Sequence, residues 1–298
     1  MTYLRIIIAS AICCFALYAL SLRRSGLRVS AAAAALPLCA ALGLLFAKLG
    51  HVILLELEDL FVWGEWEILT EVNPKRLSFV FGAAGVCLGV AWSARLLHLK
   101  PAAALDAFAA PGALLVAGAR MAEMELGRLG TGALAPASGL FSMFPFAQAD
   151  TWGDRWVAVF FWEALAAVVI AILAALKKNA VPGRRFRRAV YRLCACQLLL
   201  EILRSQSMRW GFVCVEQLCC AVIVIVLIAE GCARIPASGI RKYLPVGIGF
   251  LAMGGIVAAE FARQKGGSQF LTDFGYCFTA AIVLCLIWLY EFVFRKQK

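Results

Sequence analysis

The sequence predicts an all-α integral membrane protein, a polytopic helical bundle of about nine transmembrane helices, and three observations carry that expectation. The residues are 63% hydrophobic and 16% charged, with a mean hydropathy of +0.86, where soluble domains are roughly half apolar and a quarter charged. The apolar residues gather into runs long enough to cross about 30 Å of hydrocarbon. The basic residues fall into alternate loops, as the positive-inside rule requires.

In chain order the runs lie around residues 4–21, 29–51, 77–97, 102–119, 156–176, 189–203, 211–230, 245–262 and 272–293, the sixth being the shortest. A cleaved signal peptide competes for the first run. Arg5 is a meagre basic region, however, and Arg23 and Arg24 follow the apolar stretch instead of preceding it, so the run is retained as a span. Arg23, Arg24 and Arg28 follow span one, Arg95 and Lys100 span three, and Lys177, Lys178, Arg184, Arg185, Arg187, Arg188 and Arg192 span five. Arg234, Arg241 and Lys242 follow span seven, and Arg295, Lys296 and Lys298 close the chain. The expected topology has the N-terminus outside and the C-terminus in the cytoplasm. The net charge of +11 therefore encodes topology, and no nucleic-acid partner is expected.

Two stretches on the expected outer side are neither spans nor simple turns. Residues 52–76, VILLELEDLFVWGEWEILTEVNPKR, mix six acidic residues with Phe61, Trp63 and Trp66, which suits an amphipathic arm at the membrane surface. Residues 130–155 are rich in Gly, Pro and aromatics, which suits an irregular loop or small cap. No internal repeat of the inverted-topology kind is visible. The twelve cysteines lie in or at the ends of apolar segments without zinc-type spacing, so packing is their expected role, with no metal and no cofactor.

Ionisable groups inside a span cost roughly 2.5–3.5 kcal/mol on insertion scales, which makes each a functional candidate. Arg120 ends span four, with Glu123 and Arg128 nearby; Glu163 sits in span five; Glu201 and Arg204 are spaced i, i+3, with Gln197 one turn earlier. Gln217 is a weaker candidate in span seven. On one reading the arginines snorkel to headgroups and the glutamates pair with them to hold the bundle. On the other, the guanidinium forks grip a lipid phosphate and the carboxylates fix their orientation. His51 lies at the outer end of span two, on the side of the polar pocket, and His98 at the inner end of span three. No GxSxG elbow, HExxH or P-loop is present.

These residues carry a resemblance to the prolipoprotein diacylglyceryl transferases, seven-span bacterial membrane enzymes. ALYALSLRRSGL looks like the family's first span and basic loop, and GLLFAKLGHVILL resembles its GARLGYVLF-like segment, with Lys48 and His51 replacing Arg and Tyr. LDAFAAPGALLVAGARM resembles the segment ending in the signature Gly-Arg, with matching spacing from Asp106 to Arg120. FFWEALAAVVIAIL resembles the QLYEALLEG-type helix at Glu163, and LLLEILRSQSMRWGFVCVEQLCC the FxxEFFR segment followed by G-F-x-x-x-x-Q, at Glu201, Arg204 and Gln217. The resemblance covers about residues 8–230. It implies a transferase-like core over 1–231 and an additional C-terminal hairpin over 232–298.

By resemblance the protein moves a diacylglyceryl group from phosphatidylglycerol, or another anionic phospholipid, to the lipobox cysteine of a prolipoprotein in the bacterial cytoplasmic membrane. Arg120 and Arg204 are then phosphate-side residues oriented by Glu163 and Glu201. Gln197, Gln217 and Arg128 are further lipid contacts, and His51 or Glu123 is the base. The sequence departs from the family at three points. SFVFGAAG has no histidine where the family has HGG, MAEMELGR replaces the Asn-rich segment after the signature arginine, and Gln197 replaces an arginine. A non-catalytic or differently specific lipid-binding protein of the same fold is the alternative, and a transporter or assembly factor the third reading.

Overall fold

The computed structural model describes residues 2–71, 73–176, 181–205, 209–210, 213–235, 240–265 and 269–295. Lys177, Lys178, Gly211, Phe212, Lys296 and Lys298, used above, lie outside them. The helices are α1 (Thr2–Arg24), α2 (Ser30–Leu55), α3 (Leu57–Phe61), α4 (Phe79–Leu96), α5 (Pro101–Ala122), α6 (Val159–Leu176), α7 (Arg184–Leu203), α8 (Val215–Ala233), α9 (Leu244–Lys265) and α10 (Gln269–Arg295). Among the described residues, seven helices are long and apolar enough to cross a membrane. They are α1, α2, α4, α5, α6, α8 and the Gly275–Val293 stretch of α10. The other two expected spans are helical but fall short of that standard. The N-terminal half of α7 carries Arg184, Arg185, Arg187, Arg188 and Arg192, and in α9 the apolar stretch among the described residues is Leu244–Ala259.

The chain divides into two compact units, Met1–Val190 with Arg204–Met208, and Tyr191–Leu203 with Arg209–Lys298. Residue 231 lies inside the second.

In the first unit α1, α2, α4 and α5 enclose a core of small residues around three rings. Tyr18 packs edge-on against Phe108 at 5.2 Å and Phe15 at 6.2 Å between centroids. Without a hydrophobic drive between helices in lipid, close packing of small residues holds such a bundle. The α2–α4 contact is one such close approach: a Cβ on Gly85 would collide with the carbonyl oxygen of Leu42. Thiols take part as hydrogen-bond donors, Cys14 to the Pro111 carbonyl at 3.1 Å and Cys39 to that of Val86 at 3.2 Å.

Helix ends in this unit have identifiable partners. After α4, His98 takes a left-handed φ of 55°. Leu99 N–H donates to Ala94 at 2.8 Å and His98 N–H to Arg95 at 3.0 Å, a Schellman arrangement that caps the helix. The start of α7 is capped from another helix: Asp106 of α5 accepts from Gly183 N–H at 2.6 Å and Phe186 N–H at 2.8 Å. Arg185 returns to the C-terminal carbonyls of α6, donating to Ala174 and, at 2.9 Å, to Ala175.

The two non-span stretches are built differently from each other. Residues 52–76 break into α3 and single 3-10 turns at Trp66–Leu69 and Pro74–Arg76, with Leu60 and Ile68 buried on Val52 and Phe61, Val62, Trp63 and Trp66 exposed. Residues 130–155 lead into a hairpin, β1 (Ala147–Ala149) paired antiparallel with β2 (Arg155–Val157) in the register Gln148↔Trp156. Asp150 closes its turn, accepting from Trp152 N–H at 2.9 Å, Asp154 N–H at 3.1 Å and Trp156 Nε1–H at 2.9 Å.

In the second unit residues 191–203 of α7 bond to α8 and α10, and α9 packs against α8 and α10. Tyr191 stacks on Tyr290 at 3.7 Å and donates to the Leu286 carbonyl at 2.6 Å, and Arg192 pairs with Glu291.

Candidate functional site

Four charged side chains that are distant in sequence meet in the first unit. Arg120 comes from the last turn of α5, and Glu123 from the 3-10 segment Glu123–Gly130 that continues it. Glu163 comes from the second turn of α6, and Arg204 is the residue after Leu203, the end of α7. All four are between 1% and 7% exposed. Their helix positions are favourable: the carbonyl end of α5 attracts a cation and the amide end of α6 an anion.

Arg204 grips Glu163 fork to fork, Nε to Oε1 at 3.1 Å and Nη2 to Oε2, the two-point geometry that makes arginine–carboxylate pairs strong. Arg120 Nε adds a contact to Glu163 Oε2 at 3.4 Å. Glu123 bridges the two arginines with one oxygen each, Oε1 to Arg120 Nη1 at 2.5 Å and Oε2 to Arg204 Nη2 at 2.5 Å. Two positive and two negative groups thus neutralise one another in a buried quartet. The Phe79 ring lies 3.7 Å from the Arg120 guanidinium carbon, a cation–π contact that strengthens when water is excluded.

The backbone around the quartet is tied down. Ser205 donates to the Thr131 carbonyl through N–H and Oγ, both at 3.0 Å, and Arg204 Nη1 reaches the Leu129 carbonyl at 3.4 Å. Gln148 of β1 donates to the Met124 carbonyl at 2.7 Å. Arg128 is exposed and lies over the Trp156 ring at 3.7 Å, fastening the hairpin to the 3-10 segment.

The remaining sequence-selected residues stand in other settings. His51 Nε2 is 3.3 Å from Glu56 Oε1, which Arg76 Nε also meets at 3.3 Å; Lys48 is buried one turn before His51. In the second unit Gln197 donates to the buried Glu201 at 2.7 Å, and Gln217 donates to the Leu198 carbonyl at 3.0 Å, joining α8 to α7.

Sequence reasoning did not find Phe79, Glu56 and Arg76 as site neighbours. Phe79 opens an apolar run and looks like any core aromatic. Glu56 is one of six acids in the arm, and nothing in the sequence distinguishes it. No family model matches the chain, and no curated protein matches it significantly.

Proposed function

We propose that the protein is a phospholipid-dependent membrane transferase, moving a diacylglyceryl group from phosphatidylglycerol to the lipobox cysteine of a prolipoprotein in the bacterial cytoplasmic membrane. In this reading the chain makes nine crossings with its N-terminus outside, α7 and α9 spanning in addition to the seven helices named above. Residues 232–298 are an addition to a seven-span core. The carrying observation is the quartet itself. Arg120, Glu163 and Arg204 stand out in three separate sequence stretches, and their side chains meet in one buried network with Glu123.

The reaction asks for a base and for cationic donors. The cysteine thiol gives its proton to the base, and its sulfur attacks the diacylglyceryl carbon bonded to the phosphate oxygen. The carbon–sulfur bond forms, the carbon–oxygen bond breaks, and its electron pair leaves on glycerol phosphate. Arg120 and Arg204 hold the phosphate oxygens as charge develops on the leaving group, and Glu163 orients Arg204. Glu123 takes the proton, His51 being the second candidate for that role. Gln197 and Gln217 are further lipid contacts by the same resemblance.

The reading is tested by incubating a lipobox peptide with the purified protein in phosphatidylglycerol-containing membranes and looking for the thioether adduct by mass spectrometry. An adduct that disappears with Arg120→Ala is expected. A folded protein that binds the lipid and makes no adduct refutes the transfer. One observation favours that second outcome, a lipid-binding protein of the same architecture without chemistry: the quartet contains no histidine, and its two guanidiniums are already matched by carboxylates.

A further inference from the structure

The two glutamates of the quartet are held in different ways, and the difference assigns them different tasks. Glu163 belongs to a regular helix and lies fork to fork on Arg204, a geometry that aims a guanidinium. Glu123 does not share that geometry. It offers one oxygen to Arg120 Nη1 and the other to Arg204 Nη2, each at 2.5 Å, as two non-bridging oxygens of a phosphate ester would.

The backbone differs as well. Glu123 stands where α5 gives way to a 3-10 segment whose Gly127 has φ 70° and ψ −125°. Such segments have poorer hydrogen-bond geometry than an α-helix, and a positive φ is open to glycine at little cost. Glu125, Gly127 and Arg128 on this segment are exposed, so it forms the quartet's edge toward the surroundings. It is fastened by the Gln148 bond to the Met124 carbonyl, by Arg204 Nη1 on the Leu129 carbonyl, by the Thr131 hydroxyl on the Arg128 carbonyl and by the Arg128–Trp156 stack.

We propose that the position filled by the Glu123 carboxylate is an oxyanion seat, and that Glu123 is its internal occupant. The ligand is a phosphate ester, which displaces the carboxylate from between Arg120 Nη1 and Arg204 Nη2 while Glu163 keeps both arginines in place. Exchange conserves the local balance: one anion leaves the guanidiniums as another arrives. It also delivers the displaced carboxylate beside the bound headgroup, where the transfer reaction needs a base. The inference rests on the phospholipid reading above for the identity of the ester, and on the geometry alone for the seat.

An internal occupant lowers apparent affinity by the fraction of time that it leaves the seat open. Removing its charge therefore tightens binding, by about tenfold where the occupant holds the seat about nine-tenths of the time. Glu163→Gln must do the opposite, because it leaves Arg204 unaimed. The full-length protein is reconstituted in phosphatidylcholine nanodiscs, and binding of phosphatidylglycerol added to the discs and of inorganic phosphate added in solution is measured for wild type, Glu123→Gln and Glu163→Gln. Expected are tighter binding by Glu123→Gln and weaker binding by Glu163→Gln. Should Glu123→Gln fail to fold, Glu123→Asp, which keeps the charge but is one methylene too short to bridge both arginines, must also tighten binding, by less than loss of the charge would.

Equal or weaker binding by a folded Glu123 variant overturns the seat. Equal tightening by both glutamate variants also overturns it, since that is bulk electrostatics. Tightening toward inorganic phosphate with no response to phosphatidylglycerol keeps the seat and removes the phospholipid reading. An adduct in the peptide assay with no affinity change at Glu123 keeps the transferase and removes the seat.

Discussion

Arg204 makes contacts to two carboxylates at once, and that determines how the quartet responds to substitution. Arg204→Ala leaves Glu123 and Glu163 facing one arginine in a site closed to water, and an uncompensated buried charge costs about 3–5 kcal/mol. A lowered thermal unfolding midpoint in nanodiscs is expected, and Arg204→Ala/Glu163→Ala recovers part of the loss because it restores charge balance. A double variant no more stable than the single one refutes that account. Asp150 illustrates an exposed case. The Trp156 indole N–H, followed by the backbone N–H groups of Trp152 and Asp154, holds its carboxyl below the ordinary aspartate range. A depressed folded pKa means that the hairpin gains from the ionised form above the unfolded pKa and loses that gain as pH falls through the folded value. Hydrogen-exchange protection at residues 147–157, taken relative to the intrinsic amide rate at each pH, therefore falls on acidification, and Asp150→Asn removes that fall. The sequence revealed Arg120, Glu163 and Arg204 because charge stands out against apolar runs. Which carboxylate meets which arginine was hidden, since the Arg204 pairings join residues 41 and 81 positions apart.

At the scale of elements, small-residue contacts set the packing, and one substitution type tests this at two places. A Cβ added at Gly247 in α9 would meet nothing within 4 Å, whereas at Gly85 in α4 the Leu42 carbonyl blocks it. Gly247→Ala is expected to stabilise by about 0.5–1 kcal/mol through helix propensity. Gly85→Ala is expected to destabilise on the order of 1–3 kcal/mol, because backbone must move. Thermal unfolding of the two variants decides it, and the same sign for both would show that the α2–α4 contact does not depend on the missing side chain. Span positions were legible because a run of about 18 or more apolar residues has few alternatives. The 130–155 stretch was legible only as a loop or cap: its ladder is three residues per strand, too short for alternation to register. His98, placed by the sequence at the inner end of span three, also has the backbone task of ending α4 through its left-handed φ, which the sequence did not signal.

The whole molecule was legible as a helical membrane bundle, and its expected count of nine spans is met by seven long apolar helices among the described residues. The difference arises from real tension in the sequence. α7 begins in five arginines before turning apolar, and periodic grease does not state how much of such a helix lies in lipid. The division into two units was not legible, because it separates Leu203 from Arg204, adjacent residues in a continuous run of sequence.

The quartet also has a consequence for how the chain is made. Its members become available to one another in order of synthesis: Arg120 and Glu123 first, Glu163 next, Arg204 last. A nascent chain that has passed residue 163 without reaching 204 carries two of these carboxylates against one guanidinium, an excess of one negative charge at residues that the finished chain buries. Translation of Arg204 removes the imbalance. The charge balance of the first unit is therefore completed only by the residue that follows α7, after α1 to α6 have all been made.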